Sequence, residues 1–94
     1  MAVVMQMHWP EVTKEEYEAV RSDVNWEGNV PDGAKFHVAW WAKDGFRVID
    51  LWDSGEQFQK FVDTRLMPSV QKAGIHGQPN IEVSEAHAIF APNV

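Results

Sequence analysis

The chain has no cysteine among its 94 residues. That excludes a disulfide framework, a thiol nucleophile and a thiolate metal site. Basic residues are scarce as well: eight Lys and Arg stand against fourteen Asp and Glu, for a formal net charge of −6. Affinity for phosphates needs clustered cations. With no basic patch, neither a nucleic acid nor an anionic membrane surface is an expected partner. Long apolar runs are also missing, and nothing approaches the ~20 residues of a membrane span. The opening MAVVMQMHW has no charged n-region and no cleavage site, so a secretory leader is not expected. A cytoplasmic, bacterial-type protein is the default expectation. The four histidines show no HxH, HxxxH or HExxH spacing, so a metal site is not expected.

What the chain does have is apolar and aromatic mass. Hydrophobic residues make up 45% of it, and five residues are Trp. A chain this short forms one domain, residues 1–94, and buries only ~60–65% of its unfolded surface. A sheet face too apolar for water is often covered by a symmetric copy, so a homodimer is one outlet for that load.

The segments read in order as β-α-β-β-α-β. Ala2 to Trp9 alternates as a strand and stops at Pro10. Thr13 and Glu16 form a capping box, and Tyr17, Val20 and Val24 follow at helical spacing. Asn25 to Gly33 has turn chemistry. Phe36 to Asp53 is a hairpin closed by Asp44-Gly45, a strong short-range hairpin signal. Ser54 and Gln57 cap a second helix with Phe58, Phe61, Val62 and Leu66 on its stripe. Pro68 opens a further helical turn that ends at Gly74. Ile81 to Phe90 is the last strand. This order is the ferredoxin-like α+β arrangement: a four-stranded antiparallel sheet with two helices on one face.

The hairpin carries the most information. With Asp44-Gly45 as a two-residue turn, His37 lies opposite Trp52, Ala39 opposite Asp50 and Trp41 opposite Val48. One face then holds His37, Asp50, Trp41 and Trp52. The other holds Phe36, Val38, Trp40, Ile49 and Leu51, with Arg47 beside them in an inter-subunit ion pair. Leaving that apolar row wet forfeits ~1.5–3 kcal/mol per large side chain. It is therefore expected to pack against the same face of a second chain.

The His37 face is expected to meet the helices and to floor a ligand cavity. A carboxylate beside an imidazole fixes its tautomer and favours its protonated form. The pair serves either as a catalytic base with its orienter or as a tie between two strands. Tyr17 either reaches the cavity with its hydroxyl or is an ordinary core tyrosine. Trp26 is either a lid residue or a plug on the helix end. His8 shares a strand face with Gln6, and His87 alternates with Glu85 and Ile89. Each lines the cavity or faces solvent, and His76 lies in a solvated loop. Ser54 and Ser84 read as a helix cap and a strand residue, not as parts of a Ser-His-Asp triad.

Four segments carry a likeness to known proteins: WPEVTKEEY at residues 9–17, FHVA at 36–39, GFRVIDLWDSGEQFQKF at 45–61 and AHAIF at 86–90. With them the chain resembles the dimeric α+β-barrel superfamily, and in particular small actinobacterial-type proteins grouped with antibiotic biosynthesis monooxygenases. The resemblance implies a homodimer with one pocket per subunit between sheet and helices. Relatives oxidise phenolic or quinol-like polyketides with O₂ and no cofactor. Others degrade haem, cyclise polyketides or isomerise lactones. Trp52 matches an aromatic residue that monooxygenase and haem-degrading members carry. The haem degraders place an iron-ligating His nine residues further on, where this chain has Phe61. Their first-strand Asn has no equivalent here, because Met7 or His8 falls there. His37, Asp50 and His87 are similar to a subgroup without an assigned reaction.

Three functions fit. The first is a cofactor-independent monooxygenase for a small aromatic or polyketide-like substrate. In it His37 acts as base, Asp50 orients it, Trp41 and Trp52 stack on the substrate, and Tyr17, His87 and His8 bind it. The second is a cyclase or isomerase using proton transfer in the same pocket. The third is a non-catalytic small-molecule-binding dimer whose pocket is filled by Trp41, Trp52 and Phe61.

Overall fold

The computed structural model describes all 94 residues. Its elements are β1 (Val3–Trp9), α1 (Lys14–Val24), β2 (Ala34–Ala42), β3 (Gly45–Trp52), α2 (Gly55–Phe61), a π-helical turn (Val62–Leu66), α3 (Met67–Ala73) and β4 (Asn80–Glu85). The four strands form one antiparallel sheet in the order β2-β3-β1-β4. This is the ferredoxin-like α+β fold expected from the element order. No helix is long and apolar enough to cross a membrane.

Local chemistry explains the elements. Thr13 Oγ1 accepts from the Glu16 N–H at 3.1 Å, and Glu16 reaches back to the Thr13 N–H at 2.9 Å. Two of the four orphan donors at the start of α1 are thus satisfied. Ser54 caps α2 by accepting from the Gln57 N–H at 3.2 Å. The return half of that box takes another form, because the Ser54 hydroxyl donates to the Gln57 side chain.

The hairpin turn differs from expectation. Ala42 pairs with Gly45, so the two turn residues are Lys43 and Asp44. Gly45 is needed for a different reason: a Cβ there would sit 2.5 Å from Pro10 Cα, where the chain leaving β1 runs alongside it. Its φ of 111° also lies where a side chain is strained. The register shifts by two residues in consequence. His37 now faces Asp50 directly, Ala39 faces Val48 and Trp41 faces Phe46, while Trp52 lies opposite Ala34 past a bulge. A shift of two leaves every side chain on its expected face, since strand sides alternate with period two.

Pro68 does not break the second helical run. The chain stays helical from Gly55 to Ala73 through the π-turn, where the Met67 N–H bonds to Val62 O. A proline has no N–H and crowds the carbonyl four residues back. The wider π-turn just before Pro68 relieves that crowding. It also rotates the helix so that Phe58, Phe61, Leu66 and Val70 all reach the same cavity.

The last strand is shorter than expected, ending at Glu85 instead of Phe90. Its partner β1 starts at Val3, and the final link is the Ala86 N–H to Ala2 O at 2.9 Å.

The core lies between the sheet and the helices. Met5, Met7, Trp9, Phe46, Val48 and Trp52 come from the sheet, and Val20, Val24, Phe58, Phe61 and Val70 from the helices. The opposite sheet face is bare. Phe36, Val38, Trp40 and Ile49 are each 37–39% exposed.

Candidate active site

Three elements bring the polar groups together. β2 supplies His37, β3 supplies Asp50 and Trp52, and α1 supplies Tyr17. His37 Nδ1 lies 2.7 Å from Asp50 Oδ1. The Trp52 indole N–H donates to Asp50 Oδ2 at 3.0 Å. The Tyr17 hydroxyl lies 2.8 Å from His37 Nε2. A carboxylate only accepts, so His37 donates from Nδ1 to Asp50 and accepts from the Tyr17 O–H at Nε2. The result is an ordered chain, Tyr17 to His37 to Asp50, with Trp52 closing the far oxygen.

Burial grades along this chain. The Asp50 side chain is 10% exposed and that of His37 is 32% exposed. A buried carboxylate is costly unless hydrogen-bonded, and here both oxygens have a donor. No buried side-chain nitrogen or oxygen in the protein lacks a partner. The Tyr17 hydroxyl is pushed up to about 12, chiefly by burial. Arg21 offsets part of this, while Glu18, Glu27 and Asp50 add to it. Tyr17 therefore remains a neutral donor at physiological pH.

These groups form one end of a cavity of about 310 Å³ between the sheet and the helices. That is the lower end of the ~300–1,000 Å³ range of small-molecule sites. Hydrophobic residues make up 18 of the 23 that line it. The indole of Trp26 lies 5.2 Å from the His37 ring and 5.9 Å from Tyr17. The space is not filled by Trp41, Trp52 and Phe61, the arrangement a vestigial pocket would need. No three His, Asp or Glu side chains are gathered as a metal-binding group.

Several expected site residues lie elsewhere. Trp41 does not line the cavity. Its indole N–H donates to Val12 O at 2.9 Å, and its ring packs edge-on to Tyr17 and against Phe46. Trp41 thus supports Tyr17 from behind, with the Lys14 ammonium 5.7 Å from its ring centroid, and stands outside the cavity. Trp52 does line the cavity, but it is 3% exposed and its N–H is held by Asp50. His8 stands on the bare sheet face, opposite Arg47, with Nε2 2.8 Å from Asp44 O. Val3, Met5, Met7 and Trp9 take the buried side of β1, which leaves His8 the other. His87 follows the end of β4 and is exposed, outside the cavity. Arg47 pairs with Asp44 of its own chain.

Other lining residues lay outside the expected set. Glu27, Val30 and Pro31 come from the loop after α1, and Leu66 from the π-turn. Only Leu66 left a signal: the five-residue step from Phe61 is one too many for an α-helical face.

No protein-family model matches the sequence, and no curated protein matches it. Solved structures do match it in shape. A point variant of SnoaB, a cofactor-independent oxygenase from Streptomyces nogalater, superposes with a TM-score of 0.65 at 12% identity, over 95% of each chain. A candidate antibiotic biosynthesis monooxygenase from Caulobacter crescentus gives 0.64 at 21% identity, covering 93% of this chain and 89% of that one. A protein of unknown function from Nitrosomonas europaea gives 0.62 at 18% identity, covering 99% and 95%. The chain thus shares the ferredoxin-like fold of antibiotic-biosynthesis-monooxygenase-like proteins.

Proposed function

We propose that the chain is a cofactor-independent monooxygenase-like enzyme acting on a small aromatic or polyketide-like substrate. The observation that carries this reading is His37, held between Asp50 and Tyr17 at the polar end of an apolar cavity. Asp50 fixes the tautomer and leaves Nε2 as the basic nitrogen. A substrate hydroxyl that takes the place of the Tyr17 O–H loses its proton to Nε2. Asp50 stabilises the imidazolium, and Tyr17 is left to donate to the new oxyanion. The electron-rich ring then reduces O₂. One oxygen atom joins the ring, the other leaves as water, and a phenol becomes a quinone with no outside reductant. A shape likeness to a cofactor-independent oxygenase supports this reading at the level of the fold.

His37→Ala should lower turnover by ~10²–10⁴, the usual worth of a positioned acid or base, with circular dichroism unchanged. Turnover of a phenol panel at the native rate in that variant would remove His37 from the mechanism.

One observation favours a second reading, a cyclase or isomerase. A base at His37 and a neutral donor at Tyr17 lie 2.8 Å apart, an arrangement suited to shuttling a proton. Oxygen uptake during turnover separates the two, because proton transfer consumes none.

The working unit in this proposal is a homodimer formed through Phe36, Val38, Trp40, Ile49 and Leu51. The exposure of Phe36, Val38, Trp40 and Ile49 on one sheet face, with Leu51 half-buried beside them, supports it, as does the matching fold of a dimeric ferredoxin-like protein from Thermobifida fusca.

A further inference from the structure

We infer that residues 25–33 form a hinged lid over the cavity, and that Arg65 is its latch. The segment is bounded by two left-handed residues, Asn25 with φ 55° and Gly33 with φ 84°. Both ends are tied to the body. The Asn25 N–H bonds to Arg21 O at 3.0 Å, and Gly33 O accepts from the Asp53 N–H at 2.8 Å. Between these anchors no backbone–backbone bond reaches another element; the main chain makes only Asn29 N–H to Asn25 O and Ala34 N–H to Pro31 O. Few external bonds and an exposed backbone are the marks of a segment that opens at low cost.

The segment nonetheless roofs the cavity. Trp26, Glu27, Val30 and Pro31 all line it. Val30 is 63% exposed, a large apolar side chain poised between ligand and water.

Side chains hold this roof down. Arg65 donates from Nη2 to Asn29 O at 2.7 Å and to Val24 O at 3.0 Å. One guanidinium nitrogen therefore bridges the lid and the end of α1. The Arg65 Cζ lies 5.5 Å from the ring centroid of Phe61, itself a cavity residue. Arg21 grips the lid from the other side, with Nε and Nη2 each 2.8 Å from a Glu27 carboxylate oxygen. The Arg21–Glu27 pair is exposed and adds little by itself. Arg65 joins two backbone carbonyls through charge-assisted bonds, the one to Val24 O half-buried and the one to Asn29 O exposed and short, so it ties the lid directly to the end of α1. Opening about the two hinges carries Trp26 away from His37 and uncovers the polar end of the cavity.

This inference concerns access and holds whatever reaction the site performs. The test is amide hydrogen exchange over residues 26–32, read beside stopped-flow binding of the neutral fluorophore N-phenyl-1-naphthylamine. In the native protein these amides should exchange faster than those of α1 and β2. Arg65→Gln should speed their exchange about tenfold, the loss of one charge-assisted hydrogen bond. It should also raise the association and dissociation rates of the fluorophore together, with Kd nearly constant. Arg65→Lys should fall between the two. If Arg65→Gln does not fold, Glu27→Gln provides a second route, with a smaller acceleration confined to the same amides. Exchange over 26–32 that matches the flanking elements and is unmoved by either variant would overturn the lid.

Discussion

The two faces of the sheet invert the usual placement of polar and apolar groups. On the covered face, a carboxylate and an imidazole sit among Met, Phe and Trp side chains. On the bare face, a row of large apolar residues meets water. Buried polar groups and exposed apolar patches are the observations that need explaining, and each face supplies one. The covered face solves its problem within the chain, since every oxygen and nitrogen of Asp50, His37, Tyr17 and Trp52 that is buried has a partner. The bare face has no internal solution. Helices lie on one side only, and a sheet four strands wide cannot fold back to cover the other.

The largest expected effect lies on the bare face. Replacing Trp40 and Ile49 together by Glu puts charges in the middle of the apolar row. Sedimentation velocity should then show a monomer where the native protein is expected to be a dimer, with the secondary structure kept. A dimer that survives both changes would place its interface elsewhere.

Next comes Asp50. Removing the carboxylate as Asp50→Ala strands the buried Trp52 N–H and leaves the half-buried His37 Nδ1–H without its partner, at a cost of about 3 kcal/mol in urea unfolding. Asp50→Asn keeps an oxygen for Trp52 and should cost about 1 kcal/mol. Equal losses in both would mean that the carboxylate is not what satisfies these donors.

The smallest effect is also the cleanest to read, because Tyr17 is the only tyrosine in the chain. Tyrosinate absorbance therefore reports on one group, which should titrate near 12 instead of its ordinary 10. Between those values the unfolded chain loses this proton first, so stability falls as pH rises through the window. Below pH 10 the contribution is fully present. Tyr17→Phe should remove that slope from the pH dependence of unfolding.

Much of this was legible in the sequence, for identifiable reasons. His37, Asp50 and Trp52 could be placed on one face because the period of a strand is two, and an error of two residues in register changes neither side. The direct pairing of His37 with Asp50 could not be read. It goes with Gly45 lying in the strand close against Pro10, a contact between residues far apart in the chain. Trp41 had the right face but the wrong role, because its N–H is taken by Val12 O in a loop whose path the sequence does not encode. His87 failed through arithmetic between strands: β4 ends where β1 begins, and neither segment alone shows where the other stops. Arg65 carried no visible signal, since its acceptors are backbone carbonyls of another segment.

The π-turn has a consequence for how the chain tolerates changes in length. It holds one residue more than a regular turn, and each residue rotates a helix by about 100°. Deleting a single residue between Val62 and Leu66 would leave a smoother helix and yet a worse protein. Leu66 and Val70 would swing off the cavity wall, Pro68 would meet the carbonyl it now avoids, and the guanidinium over Phe61 would lose its two carbonyls. Here an apparent irregularity in the helix sets the phase between its two halves, and substitutions should be absorbed there far more readily than insertions or deletions.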